Sequence, residues 1–132
     1  MFRKEDVIRT VASLGLDPAH YRLATGAALT LYGIRESTRD IDIGVDEELF
    51  EALLRRGYSI NPEFPLRREI LIPTECGDVE LYAGWAQGPT ETVEGIPCMT
   101  LDGIAAHKRS MGREKDLRDL ELMEKYRKEH NL

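Results

Sequence analysis

The sequence predicts an α/β fold of the α+β kind, built as one domain over residues 1–132. Three observations carry this. Val7, Ile8, Val11 and Leu14 recur at helical spacing, as do Leu49, Phe50, Leu53 and Leu54. Asp40-Ile41-Asp42-Ile43 and Asp78-Val79-Glu80-Leu81-Tyr82 alternate with the period of a half-buried strand. Gly and Pro residues separate these runs at short intervals.

The elements follow in order. Lys4 to Leu14 predicts an amphipathic helix stopped by Gly15. Asp17-Pro18 is a turn, and Tyr21 to Ala24 a short strand entering a turn at Gly26. Ala27 to Tyr32 is nearly all apolar, which predicts a buried helix ended by Gly33. Arg35 to Arg39 is a polar loop, and Asp40 to Val45 a strand. Asp46 caps a helix over Glu47–Arg56 that Gly57 closes. Tyr58 to Ile60 reads as a short strand, and Asn61 to Arg68, with its two prolines, as a loop. Glu69 to Ile72 and Asp78 to Tyr82 predict an antiparallel pair. Ala83 to Gly95 is rich in glycine and is expected to be loop, with Trp85 packed in the core or at its edge or else lying over a site. Ile96 to Met99 suits an edge strand because Pro97 cannot donate to a ladder. Thr100 caps a helix from Leu101 to Ser110, and Asp116 to Lys128 is a last helix with Leu117, Leu120, Met123 and Tyr126 inward.

The chemistry concentrates at two places. Along a strand, residues i and i+2 share a face, so Asp40 and Asp42 project together while Ile41 and Ile43 enter the core. Carboxylates held roughly 6–7 Å apart on one face repel each other, and suit a hard divalent cation such as Mg²⁺ or Mn²⁺. Thr25-Gly26-Ala27 opens a helix, whose first backbone N–H groups can receive a phosphate. A phosphate turn beside a metal-binding strand points to nucleotide chemistry. Asp78 and Glu80 offer further acids on one strand face, and their bland alternative is solvent exposure. Lys108 falls on the apolar stripe of Leu101, Ile104 and Ala105, so its ammonium either snorkels to water or faces the cleft, paired with Asp40, Asp42 and Glu80 when the protein is empty and with nucleotide phosphate when it is loaded. Arg35 and Arg39 lie in the loop before Asp40 and are candidates for neutralising phosphate.

Bulk properties narrow the classes. A net charge of −6 argues against a broad nucleic-acid footprint and leaves room for a local basic site. No apolar run is long enough to span a membrane, and a cytoplasmic location is expected. Cys76 and Cys98 have no metal or redox spacing and are expected to be reduced thiols. His20, His107 and His130 show no metal spacing and are expected at the surface or in packing.

Gly26-Ala27, twelve residues, then Asp40-Ile41-Asp42-Ile43 resembles the signature of the DNA polymerase β-like nucleotidyltransferase superfamily. Ala27 departs from it, standing where that signature carries Ser or Gly. The segment from Ala106 to Leu120, with Lys108, Gly112-Arg113 and Lys115-Asp116, resembles the C-terminal signature of small bacterial relatives, among them the AbiEii-type toxin nucleotidyltransferases. The resemblance covers roughly Leu23 to Leu122. It implies a mixed, mostly antiparallel sheet of four or five strands with helices largely on one side. It implies Asp40 and Asp42 as metal ligands, with Glu80, in its apolar-acid-apolar setting, as the third carboxylate. It implies nucleotide contacts from Thr25, Gly26, Ala27, Arg39 and Lys108. The expected activity is metal-dependent transfer of an NMP from an NTP to an acceptor hydroxyl on an RNA end, a protein or a small molecule. The alternatives are a non-catalytic module of the same fold acting as an antitoxin or interaction domain, and an enzyme whose acceptor site is completed in a homodimer.

Overall fold

The computed structural model covers residues 1–132. In chain order the elements are β1 (Phe2–Arg3), α1 (Lys4–Leu14), β2 (Tyr21–Leu23), α2 (Thr25–Tyr32), β3 (Ser37–Thr38), β4 (Asp40–Val45) and α3 (Glu47–Arg55). They continue as β5 (Glu69–Pro73), β6 (Asp78–Ala83), β7 (Thr90–Val93), β8 (Ile96–Met99), α4 (Leu101–Met111) and α5 (Glu114–Glu129). Six strands form one mixed sheet in the order β5-β6-β4-β2-β8-β7, and β1 pairs with β3 beside it. β4 runs parallel to β6, β2 runs parallel to β8, and the other neighbours in the large sheet are antiparallel.

Alternation sets the sheet's two faces. Ile41, Ile43, Val79 and Leu81 are fully buried, and Val45 joins them at the end of β4. α2 packs against β4 and α3 against β6. α2 is buried along nearly its whole surface, as its unbroken apolar run requires, with Ala28 and Leu29 inaccessible to solvent. α1 buries Val7 and Val11, with Ile8 and Leu14 at the margin. The opposite face of β4 and β6 carries Asp40, Asp42, Asp78, Glu80 and Tyr82.

Both expected caps form. Thr100 accepts from Gly103 N–H at 3.2 Å and Asp46 from Leu49 N–H at 2.9 Å. Asp46 also pairs with Nδ1 of His20, which raises the His20 pKa above its ordinary value, through that hydrogen bond first. Asp46→Ala is expected to cost about 1–2 kcal/mol through the lost cap. It should also return His20 toward its ordinary pKa in an NMR titration. Because the folded pKa is the raised one, the His20 contribution is complete below pH 6.5 and fades as pH rises through the folded value.

Four expectations are corrected. Ile96–Met99 is an interior strand, and β7, read as loop, is the edge. Pro97 is tolerated because β8 meets β2 through a single registered pair, Leu23 and Cys98. The hairpin from β7 to β8 turns at Glu94-Gly95, both at positive φ (52° and 77°), a geometry that favours glycine. Tyr58–Ile60 contributes only a bridge from Ile60 to Ile70. On α5, Met123 is buried and Leu120 packs on the core as expected, but Asp116 and Asp119 are buried with them and Leu117 is 53% exposed. Trp85 is 48% exposed and not a core anchor. No helix is long and apolar enough to cross a membrane. Both cysteines are free, and burial pushes the Cys98 thiol up to about 12.

Candidate functional site

The polar face of the sheet floors a cleft of ≈ 850 Å³. Its lining includes Thr25, Gly26, Arg39, Asp40, Asp42, Glu80 and Lys108, so seven of the eight residues the resemblance implies meet there, joined by Arg35. Ala27 is the exception. Its side chain is 1% exposed and belongs to the core, which leaves only its backbone to face the turn. Sequence spacing did not point to Tyr82, His107, Arg113, Lys115, Arg118 and Asp119 as lining residues.

Strand pairing positions the acids. In the parallel register of β4 and β6, Asp40 stands opposite Asp78 and Asp42 opposite Glu80. Asp42 Oδ1 is buried and has no hydrogen-bond partner. Burial, then the negative charge of Glu80, pushes the Asp42 carboxyl up to about 7. Asp40 is raised too, by burial first and then by Glu80 and Asp78. Glu80 accepts the hydroxyl of Tyr82, its neighbour two residues along the same face. The donor chemistry fits a hard divalent ion, since an orphaned buried carboxylate oxygen is costly without a cation or a proton. No group of three or more His, Cys, Asp or Glu side chains is gathered into a metal-holding cluster in this structure, so Asp40, Asp42 and Glu80 would have to draw together around an ion.

The helix turn lies at the Asp40 end of the floor. β2 runs antiparallel to β4, and Ala24 N–H donates to the Asp42 carbonyl at 2.9 Å, so α2 begins beside the acids. Thr25 is held at φ 36° as the chain swings from strand to helix. Gly26 is required sterically: a Cβ there would come within 2.8 Å of Thr38 Oγ1 and 3.1 Å of Arg35 Nη1. The first-turn N–H groups have no intrahelical acceptors and bring partial positive charge to the cleft. The two-residue pairing of Phe2 with Thr38 and Arg3 with Ser37 ties down the loop that carries Arg35 and Arg39.

The far wall comes from α4 and α5. Lys108 is 6% exposed. Its ammonium pairs with Asp119 Oδ2 at 2.8 Å and Asp116 Oδ1 at 3.3 Å, both on α5. Arg113 adds a bond from Nε to Asp116 Oδ2 at 2.7 Å, and Arg35 Nη1 lies 3.6 Å from Asp119 Oδ2. The lysine is thus at the cleft, as its place on the stripe suggested, with its anionic partners on α5 and not on the strand floor. The i, i+3 spacing of Asp116 and Asp119, in step with Met123, is the sequence signal for that face. Arg39, Lys115 and Arg118 are exposed at the rim, giving an acidic floor under a basic margin despite the negative chain.

A crystal structure from Thermotoga maritima, at 1.87 Å resolution, of a protein described as a candidate nucleotidyltransferase superposes with a TM-score of 0.62. The match covers 97% of this chain and 96% of that one, at 16% sequence identity. The fold is a nucleotidyltransferase fold. No family model matches the chain, and comparison with curated proteins gives no match.

Proposed function

We propose that this protein is a divalent-metal-dependent nucleotidyltransferase that moves an NMP from an NTP to an acceptor hydroxyl. The observation that carries the reading is the buried, unpartnered Oδ1 of Asp42, on one sheet face with Asp40 and Glu80 and beside the Gly26 turn. Asp40, Asp42 and Glu80 would hold Mg²⁺ or Mn²⁺, which supplies charge neutralisation at the reacting phosphate when bound. The Gly26 turn receives the β- and γ-phosphates through backbone N–H groups. Arg39 and Arg118 at the rim balance their charge, while Lys108 fixes the wall against which they lie. The acceptor oxygen attacks the α-phosphorus, the bond to the β-phosphate oxygen breaks, pyrophosphate leaves, and the acceptor proton passes to Glu80.

The likeness to AbiEii-type toxin nucleotidyltransferases in the C-terminal segment supports a toxin–antitoxin setting in the cytoplasm. The acceptor class is an RNA end, a protein or a small molecule. A second reading, a non-catalytic module of the same fold acting as an antitoxin or interaction domain, is favoured by one observation: Glu80 is engaged by Tyr82 in this structure. Incubation with each α-labelled NTP, Mg²⁺ or Mn²⁺ and a cell extract separates the two. Transfer of label to an extract component, lost in Asp42→Asn, is the expected result. Metal-dependent NTP binding with no labelled product under any NTP would leave the non-catalytic module as the reading.

A further inference from the structure

The polar face of the sheet is ordered in rows. Asp40 and Asp78 form the first, Asp42 and Glu80 the second, Gly44 and Tyr82 the third. Arg22 of β2 extends the third row on the other side of Gly44. The place above Gly44 is taken by the main chain of Trp85: a Cβ on Gly44 would lie 2.1 Å from the Trp85 carbonyl oxygen. Arg22 Nε donates to that same carbonyl at 2.9 Å. Gly88 closes on the Arg22 guanidinium, where a Cβ would meet Nη1 at 2.7 Å. Gly84 N–H donates to the Val45 carbonyl at 2.9 Å. The backbone of Trp85 is therefore fixed on the sheet, yet its indole, the single one in the chain, stands 48% exposed. An aromatic held out on an anchored backbone is poorly explained by core packing. Its ring leans on Tyr82 (centroids 6.3 Å apart, planes at 50°) and meets His107 edge-on (5.8 Å, 84°). Both of those residues line the cleft, and Trp85 stands just outside the lining, at the end that they close.

We propose that Trp85, backed by Tyr82 and His107, is the stacking platform for the base of the bound nucleotide. The inference rests on the nucleotidyl-transfer reading and adds the direction in which the nucleotide lies. The Gly26 turn is at the Asp40 end of β4, and Trp85 is at the Gly44 end. Four residues of strand separate those ends, roughly 13 Å. With the α-phosphorus over Asp42 and the outer phosphates toward Gly26, the nucleoside extends along the strand to the third row. Stacking on an aromatic face accepts any base, so all four NTPs should bind.

The single tryptophan makes the test direct. Trp85 fluorescence and calorimetry are followed while the protein is titrated with each NTP, and separately with tripolyphosphate, in Mg²⁺. NTPs should perturb the indole and tripolyphosphate should bind without doing so. Trp85→Ala should weaken NTP binding roughly tenfold, the size of one base–aromatic stack. It should leave tripolyphosphate affinity and thermal unfolding unchanged, and Trp85→Phe should recover most of the loss. NTP binding that leaves the indole silent, or is unaltered in Trp85→Ala, overturns the platform alone. Failure of both NTP and tripolyphosphate to bind the unmodified protein overturns the nucleotidyl-transfer reading, and the platform with it.

Discussion

Asp42→Asn is expected to lower metal-dependent nucleotidyl transfer by at least about a hundredfold and to stabilise the metal-free protein at pH 8. The two effects share a cause. The Asp42 carboxyl is raised to about 7 by burial, and next by Glu80 opposite it in the strand register. Between about pH 4 and pH 7 the folded protein therefore binds a proton that the unfolded chain has released. Stability falls as pH rises through that window, and the full cost is reached above pH 7. A shift of this size has a ceiling of about 4 kcal/mol; sharing of charge with Glu80 should reduce what is measured. The neutral amide removes the term, so the variant should gain roughly 1–3 kcal/mol at pH 8 and little at pH 5. Urea unfolding in EDTA at both pH values measures this. A variant less stable than the parent at pH 8, with the pH slope unchanged, would show that the carboxylate is structural.

The parts of this site legible in the sequence are those fixed by local periodicity. Asp40–Val45 is a strand with the expected bounds because alternation with two isoleucines admits only one face for the acids. Asp46 and Thr100 were legible as caps because a short oxygen-bearing side chain before an apolar stripe has few other uses. What was hidden depends on contacts between distant segments. Glu80 aligns with Asp42 only through the parallel pairing of β4 and β6, which no local pattern specifies. Strand β7 was masked by the glycines and proline around it, although Thr90, Thr92 and Val93 favour strand and Glu94-Gly95 is a hairpin turn. On α5, Met123 and Leu120 were legible as inward, but Leu117 was misjudged because leucines were given priority over aspartates. Apolar residues normally win such a contest. Here Lys108 arrives from α4 as a buried cation, and Asp116 and Asp119 turn in to meet it, which leaves Leu117 to solvent.

That exchange sets the expected result for Lys108→Met. The ammonium is 6% exposed, and its partners Asp116 and Asp119 are 0% and 7% exposed. Removing the cation leaves two buried carboxylates with fewer partners, and breaking a buried pair costs about 3–5 kcal/mol. The midpoint of thermal unfolding should fall by on the order of 10 °C. The guanidinium of Arg113, which holds Asp116 at a pKa of about 2, should limit the damage on that side. On the Asp119 side Arg35 is at 3.6 Å and offers a weaker substitute. The Asp116 term is present above the ordinary carboxylate pKa and is lost as pH falls through about 2, so the penalty should persist across the neutral range. Adding Asp119→Asn to Lys108→Met should recover part of the stability, because it removes the orphaned charge. Nucleotide affinity, measured below the melting range, separates a strut from a phosphate ligand. If Lys108→Met leaves stability within 0.5 kcal/mol of the parent, about the effect of an ordinary surface substitution, and still weakens NTP binding by ~1–3 kcal/mol, the size of a charge-assisted contact, the ammonium acts on phosphate and its aspartates are secondary. A large loss of stability, partly restored by Asp119→Asn, identifies Lys108 as the bolt between α4 and α5 that sets the far wall of the cleft.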